Sequence, residues 1–575
     1  MEKTIYALII LALVLSSCAR RNDIEVIEKA NDSVKAVEAV KPAIPSTQEI
    51  HEWMFVDAPI GLRVRSSPNV NSDIIGLLDD LTSIFAVKKD IHTVTIDGIE
   101  SNWTFIETDD SEGWVFGGYL SFDRPMRDFM TEKNDGAIII VGYTGTATDV
   151  VIPESINGMP VIGIGKRAFS QNQLTNLKIP NSVTHIGKFA FSGNLLANLT
   201  IPNSVIHIGE FAFFNNLLAN ITIPNSVIHI GEFAFSENQL TNLMISDSVT
   251  HIGEGAFSKN QLTNLTIPNS VTHIGDRSFS ENQLTNITIP NNVTHIGERA
   301  FFNNQLINLT IPNSVTHIGA TAFATNQLTT LMLPDSMTHI GNYVFAENQL
   351  TNLTIPTSVT HIGEHAFSHN QLTNLIIPNS VTRIGEGAFY LNQLINLTIP
   401  DSVTEIGSLA FAHNQLTNLT IPDSVTFIGE AAFQSNQLTN LTIPNNVTYI
   451  RHYAFANNRL TNLTIPDSVK LIGIYAFSDN QLRNLALPNS VTHIGHYAFA
   501  NNKLTNLTIP NSVTHIEMNA FESNQLTKLT IPNSVIEIGT NAFSKNKLTS
   551  VTIPNSVTRI GDFAFDPDVR VTKEP

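Results

Sequence analysis

The feature that most restricts this chain is a 22-residue period. Ile-Pro, or a close variant of it, recurs at that spacing from Ile179 to Ile553, seventeen whole units without an insertion or a deletion. A period of this length implies a solenoid, because one such unit cannot bury its own apolar face and must stack on its neighbours. Both ends of the array depart from the period. An earlier unit begins at Ile152-Pro153 and is lengthened around Asn157-Gly158-Met159-Pro160, and a truncated unit begins at Ile553-Pro554. Atypical end units are what a capped array requires.

Within a unit, Leu262-Thr263-Asn264-Leu265-Thr266-Ile267 has the LxxLxL spacing of leucine-rich repeats. Alternation sends Leu265 and Ile267 inward and Asn264 and Thr266 outward, which predicts a short parallel strand in every coil and a stacked sheet along the array. Pro268, and its equivalents Pro202 and Pro224, lack an N–H and end the pairing there. Val205 and Ile208 form the next expected buried pair, Gly209 a bend, and Ala212 and Phe213 a return to the core. Phe recurs from Phe191 to Phe565 and Asn from Asn194 to Asn546, with Asn172 ahead of them. A buried polar residue repeated in every coil is best used by bonding loop backbone in its own and adjacent coils, since each unmet backbone group there costs about 1–3 kcal/mol.

The remainder of the chain divides around this array. Met1 to Lys3 precede an apolar run, Ile5 to Leu15, too short to span a bilayer of about 30 Å and of the length of a signal-peptide core. Leu15-Ser16-Ser17-Cys18 resembles a bacterial lipobox, and the resemblance implies removal of residues 1–17 and lipidation of Cys18, the single cysteine of the chain. Residues 18–49 read as a lipidated tether. Residues 50–123 hold all three tryptophans and several short β-type runs: 62–64, 74–77, 84–87, 103–106 and 113–116. Gly61-Leu62-Arg63-Val64-Arg65-Ser66-Ser67-Pro68, Ile75-Gly76, Trp103 and Gly113-Trp114-Val115 through Gly118-Tyr119-Leu120 resemble the bacterial SH3 domain. That resemblance implies a small β barrel touching cell-wall peptides, with Trp103 and Tyr119 as its candidate ligand residues, although such aromatics more often fill the barrel core. Residues 124–151 read as the cap of the solenoid, 152–566 as its repeats and 567–575 as a C-terminal tail. The expected fold class is therefore mainly β with short irregular turns, a leucine-rich-repeat solenoid of 22-residue coils preceded by an SH3-like barrel.

The repeated words Ile-Pro-Asn-Ser-Val-Thr-x-Ile-Gly-x-x-Ala-Phe, together with Gly136 to Gly145 and Val150-Val151-Ile152-Pro153 at the start, resemble the BspA-like, or treponemal, leucine-rich-repeat family. The resemblance implies a bacterial surface lipoprotein, an adhesin that binds host matrix proteins, host cells or other bacteria. The array departs from the pattern at Arg451 and Glu517, which replace the repeat Gly.

A fixed period turns each position into a row of side chains about 4.8 Å apart. The outward strand row, Asn198, Asn220, Asn264 and Asn286 with Thr200, Thr222, Thr266 and Thr288, forms an uncharged hydrogen-bonding face and is the candidate binding face, interrupted by Met244, Met332, Ile376 and Ala486. Its competing role is self-bonding along the stack. Histidine fills another row at 11 of its 18 occurrences, from His185 to His515. Arg383, Glu405, Phe427, Tyr449 and Leu471 share that row, so it reads as tolerant surface without the third and fourth ligands of a zinc site. A row of single acids, Glu210, Glu232, Glu254, Asp276 and Glu298, offers too few oxygens for calcium.

Charged residues make up only 14% of the chain, hydrophobic ones 42%, and the net charge is −18. This balance argues against a disordered chain and against a phosphate-binding surface, so nucleic acid is not an expected partner. No nucleophile, base and orienting acid occur in a singular setting, and no cofactor or metal is expected. The expected partners are extracellular proteins or host and bacterial surfaces, the membrane through Cys18, and peptidoglycan through the SH3-like module. The alternative reading is a periplasmic envelope scaffold.

Overall fold

The computed structural model describes residues 47–58, 60–79, 82–108, 112–121 and 128–574. The lipidation candidate Cys18, the leader and most of the expected tether lie outside the described residues. The chain divides into two compact units, one up to Met126 and one from Arg127.

In the first unit, β1 (Thr47–Val56), β2 (Leu62–Arg65), β3 (Ile74–Leu78), β4 (Ser83–Ile96), β5 (Ile99–Glu107), β6 (Glu112–Phe116) and β7 (Leu120–Ser121) form one antiparallel half-barrel sheet in the order β3-β2-β6-β5-β4-β1-β7. All five sequence-predicted runs lie in β2 to β6. Two-residue alternation puts Leu62 and Val64 inside and Arg63 outside, and Val56, Ile84, Ala86, Ile106 and Val115 complete a core. Asp97 and Gly98, both left-handed, close the β4–β5 hairpin, the turn chemistry that matches strand twist. β1 starts at Thr47, ahead of the expected boundary at 50.

The second unit opens with an antiparallel hairpin, Phe129–Asn134 with Ala137–Tyr143, whose second strand pairs in parallel with Met159–Ile164. From there every coil repeats the same register. Leu265 and Ile267 are buried while Asn264 and Thr266 are exposed. Phe169 to Phe565 make a stacked column inside the coils, with ring centroids 5.2–5.9 Å apart. Beside it stands the Asn column. Asn370 is representative: its Nδ2 donates to the carbonyls of Phe345 (3.0 Å), Phe367 (3.2 Å) and Ser368 (3.3 Å), and its Oδ1 accepts the N–H of Leu350 (3.0 Å). The column therefore stitches each coil to the one before it.

Four local features go beyond the sequence expectation. The Asn-Leu-Thr strands do not form a continuous sheet; they pair two by two, as Asn220–Thr222 with Asn242–Met244 and Asn264–Thr266 with Asn286–Thr288. The extended ladders run along the two-residue His-Ile strands instead. There the flanking Thr and Gly supply N–H donors to the preceding coil, as Thr272 to Thr250 O and Gly275 to Ile252 O, whereas the proline after the Asn-Leu-Thr strand has none to give. Secondly, Gly209 is not left-handed. A Cβ there would lie 2.7 Å from the carbonyl carbon of Gly187, so the row is glycine because adjacent backbones touch.

The true left-handed positions are a third surprise, because most are not glycine. Each regular coil has two, such as Phe211 and Asn215 at φ 56° and 52°, and Tyr475 and Asp479 at 57° and 56°. Their N–H groups bond carbonyls of the following coil, Phe211 to Glu232 O and Asn215 to Ser236 O, which offsets the strain of a left-handed residue with a Cβ. Finally, the expected C-terminal tail contains a strand. Arg570–Lys573 pairs in parallel with Ser550–Ile553 and covers the open edge of the last coil.

The His-Ile ladder is also divided. One sheet ends at His317–Ile318, a second runs from His339–Ile340 to Phe427–Ile428, and a third from Tyr449–Ile450 to Arg559–Ile560. Both interruptions coincide with a larger side chain. At the first, Val344 stands in a row otherwise filled by Ala or Ser, with its Cγ2 3.1 Å from the place of a Gly341 Cβ. At the second, Arg451 replaces the glycine that lets backbones touch. The opposite side of each junction stays bonded, by Phe323 N–H to Val344 O (3.0 Å) and Phe433 N–H to Ala454 O (2.9 Å). These residues act as one-sided wedges.

Candidate interaction surfaces

The Asn/Thr face is exposed, as its strand alternation requires. Asn198, Thr200, Asn220, Thr222, Asn264, Thr266, Asn286 and Thr288 all present their side chains outward, although Asn198 and Thr200 lie in a coil without an assigned strand. Part of the amide capacity is used within the stack. Asn242 donates to Asn220 Oδ1 (2.7 Å), and Asn264 and Asn286 each donate to the hydroxyl of the preceding Thr (3.2 and 3.4 Å). The hydroxyls of Thr200, Thr222, Thr266 and Thr288 make no hydrogen bond to the described residues. The threonine row is thus the part of the face left for a partner, and it is broken by strongly exposed Met244, Met332 and Ile376.

The histidine row forms stacked runs. His251, His273, His295 and His317 lie with centroids 4.6–4.9 Å apart, and His339 stacks on His361 at 4.9 Å across the next segment. Nine of the eleven rings have a Thr hydroxyl 2.8–3.0 Å from Nδ1, as in Thr294 with His295 and Thr492 with His493, whereas His207 and His229 follow isoleucine. Burial first, and then the facing imidazoles of His273 and His317, hold His295 below its ordinary pKa. His361 is lowered by burial, then by His339 and Arg383. Among the described residues no three His, Cys, Asp or Glu side chains converge on a metal position. Members of the acid row instead meet bases of adjacent coils: Glu210 pairs with Lys188, and Glu254 with Arg277 at 2.7 Å.

In the first unit, Trp103 is 3% exposed and packs edge-on against Phe116 at 6.1 Å, so its ring is core and offers no face to a ligand. Tyr119 is half-buried, its ring against Phe116 at 5.6 Å and its hydroxyl donating to Asp97 Oδ2 at 2.8 Å. Burial, then that carboxylate, raises the Tyr119 pKa.

Sequence reasoning did not find the surface aromatics on the left-handed row. Phe189, Phe211 and Phe233 stack at 4.7 and 4.9 Å, and Tyr453, Tyr475 and Tyr497 at 4.9 and 4.4 Å. The signal was present as a 22-residue recurrence of Tyr, but glycine marks the backbone turn of this row in only two coils, at Gly255 and Gly387.

Among the described residues no helix is long and apolar enough to cross a membrane. The profile of the BspA type leucine rich repeat region (6 copies) matches residues 162–283, 250–373, 361–481 and 448–569. Among solved structures, the chain is similar to a leucine-rich repeat protein from Bacteroides ovatus, at 23% identity over 79% of this chain and 100% of that one, with a TM-score of 0.43. It is also similar to the pneumococcal vaccine antigen PcpA, at 17% identity over 70% and 93% of the two chains, TM-score 0.37. A leucine rich cell surface protein from Faecalibacterium prausnitzii is 22% identical over 78% and 97%, TM-score 0.29. No curated protein matches.

Proposed function

Because this chain belongs to the BspA-type leucine-rich-repeat family, we propose that it is a bacterial cell-surface lipoprotein whose solenoid acts as an adhesin or protein-interaction scaffold. The observation that carries this reading is the long exposed row of unbonded Thr hydroxyls beside partly self-bonded Asn amides, repeated without charge from 198 to 508, between Lys178 and Lys528. Each hydrogen bond such a group can offer is worth about 0.5–1.5 kcal/mol, so useful affinity requires a partner that touches many coils at once. Matrix proteins and the surfaces of host cells or other bacteria are partners of that kind. In this reading the protein is held in the membrane by lipid on Cys18, it is not an enzyme and it uses no cofactor. Full-length protein and versions lacking 201–288 or 201–376, both whole numbers of coils, are compared on immobilised matrix proteins and on host cells. Binding falls stepwise with coil number and changes little with salt, since the face is uncharged. Undiminished binding by both deletions overturns the solenoid reading. For the anchor, Cys18→Ala releases the protein from the detergent phase in phase partition, and retention there overturns lipidation.

A second reading rests on the antiparallel half-barrel. If that unit is an SH3-like module on peptidoglycan, the protein is a periplasmic scaffold, with half-buried Tyr119 at the ligand surface. Removal of 47–123 then abolishes binding that both coil deletions leave intact, and protease added to intact cells leaves the solenoid uncut.

A further inference from the structure

In an array of near-identical coils, a local chemistry that occurs once stands out. Over coils 449–517 the acid row changes character: Glu364, Glu386 and Glu430 occupy it earlier, whereas His452, Ile474, His496 and Met518 occupy it here. The neighbouring histidine row becomes Tyr449, Leu471, His493. Between the two rows Gly473 and Gly495 floor a groove of 290 Å³, and Glu517, in place of the repeat glycine, closes one end. Arg451 is folded away, its guanidinium 4.4 Å over Phe427 and 5.2 Å over Tyr449.

The polar atoms of this groove have a definite donor and acceptor pattern. His452 Nδ1 accepts the backbone N–H of Ile474 at 2.8 Å, so the proton of the neutral ring sits on Nε2, which is 3.3 Å from the Tyr449 hydroxyl. Tyr449 accepts there and keeps its own O–H as a donor. His496 Nδ1 is buried and without a hydrogen-bond partner among the described residues, with the Glu517 carboxylate 3.6 Å away, too far for a direct hydrogen bond. The Glu517 carboxylate, 39% exposed, is therefore the acceptor that this end of the groove presents. Leu471 and Ile474 supply apolar wall between the polar ends.

We propose that this groove binds a neutral disaccharide, with the C–H face of a ring on Leu471 and Ile474, one hydroxyl donating to the exposed Glu517 carboxylate, and another meeting Tyr449 Oη. An apolar side chain in the groove would leave the Glu517 carboxylate desolvated and unpaired, at a cost of about 1–3 kcal/mol or more. A carboxylate would face Glu517. The volume lies just below the usual range of ligand sites, about 300–1,000 Å³, which suits a small ligand such as a disaccharide.

The test is saturation-transfer NMR on the full chain with cellobiose, maltose, lactose and chitobiose as probes. At least one of them receives saturation. The signal is lost in Ile474→Glu and in His496→Glu, both of which restore the acid that other coils carry and so preserve the coil, and it persists in the remote same-row change Ala320→Glu. Tyr449→Phe weakens binding by about 2–10-fold, the value of one hydrogen bond. The proposal is overturned if none of the four sugars receives saturation, or if saturation survives both Ile474→Glu and His496→Glu. It stands apart from the adhesin reading, because the coil deletions at 201–288 and 201–376 leave this groove in place.

Discussion

Replacing Asn370 by Ala tests the column that joins the coils. Asn370 is 6% exposed. The Phe345 carbonyl also accepts from Asn348 (3.2 Å), and the Phe367 carbonyl also accepts from Asn392 (2.9 Å), so each keeps one donor when Asn370 is removed. The Leu350 N–H loses its acceptor outright. An orphaned buried N–H costs about 1–3 kcal/mol and each of two lost neutral hydrogen bonds about 0.5–1.5, which brackets a loss of roughly 2–6 kcal/mol and centres near 4. Since about 1.4 kcal/mol is a factor of ten, protection of the Leu350 amide against hydrogen exchange should fall by about 700-fold, with the effect fading over neighbouring coils because contacts are only between neighbours. The control is Asn374→Ala, an exposed amide of the same unit that donates to Thr373 Oγ1 at 3.2 Å and accepts from Asn396; its effect should stay within about 0.5 kcal/mol. Asn370→Asp keeps an acceptor for Leu350 but sets oxygen against the two Phe carbonyls, so it should be at least as damaging at pH 7 and partly recover in acid, where the protonated carboxyl can donate. Equal loss of Leu350 protection in Asn370→Ala and Asn374→Ala would refute the assignment of the buried column as the inter-coil tie.

Two further outcomes follow from the rows. Arg451→Gly and Val344→Ala should close the wedged junctions, giving the amides at 448 and 451, and at 338 and 341, the protection of their unwedged equivalents such as Thr426, bonded to Thr404 O at 3.0 Å; unchanged exchange at these amides would refute the wedge. The pKa of His295 is lowered in the folded chain, so below about pH 6.5 the unfolded chain binds the proton more readily; this contribution to stability is complete above that pH and lost as pH falls through it. The His295 imidazole should titrate below the ordinary histidine value by NMR, and His273→Thr with His317→Thr should raise its midpoint without restoring it fully, because burial is the larger cause. An unshifted midpoint in the double variant would remove the stacked neighbours from the explanation.

The register of the solenoid was legible because each buried row is written many times over. Leu265 and Ile267 point inward, Phe213 stacks in its column and Asn216 bonds backbone of its own and the preceding coil, since a residue that fits one coil fits all. What escaped the sequence belongs to the space between coils. The left-handed turns carry Phe, Tyr, Arg, Thr or Asn without preference, because an inter-coil hydrogen bond holds φ there and no intrinsic propensity announces it. Arg570–Lys573 is a strand because the last coil offers it an edge. The same distinction explains why Trp103, chosen for its residue type, proved to be core, and why the candidate sugar groove was missed. Recurrence identifies what every coil needs for packing, so it weights the repeated Asn, Phe and His most heavily. A singular site must be written in the positions that break recurrence, and Ile474, His496 and Glu517 draw attention only once the rows they interrupt have been placed side by side.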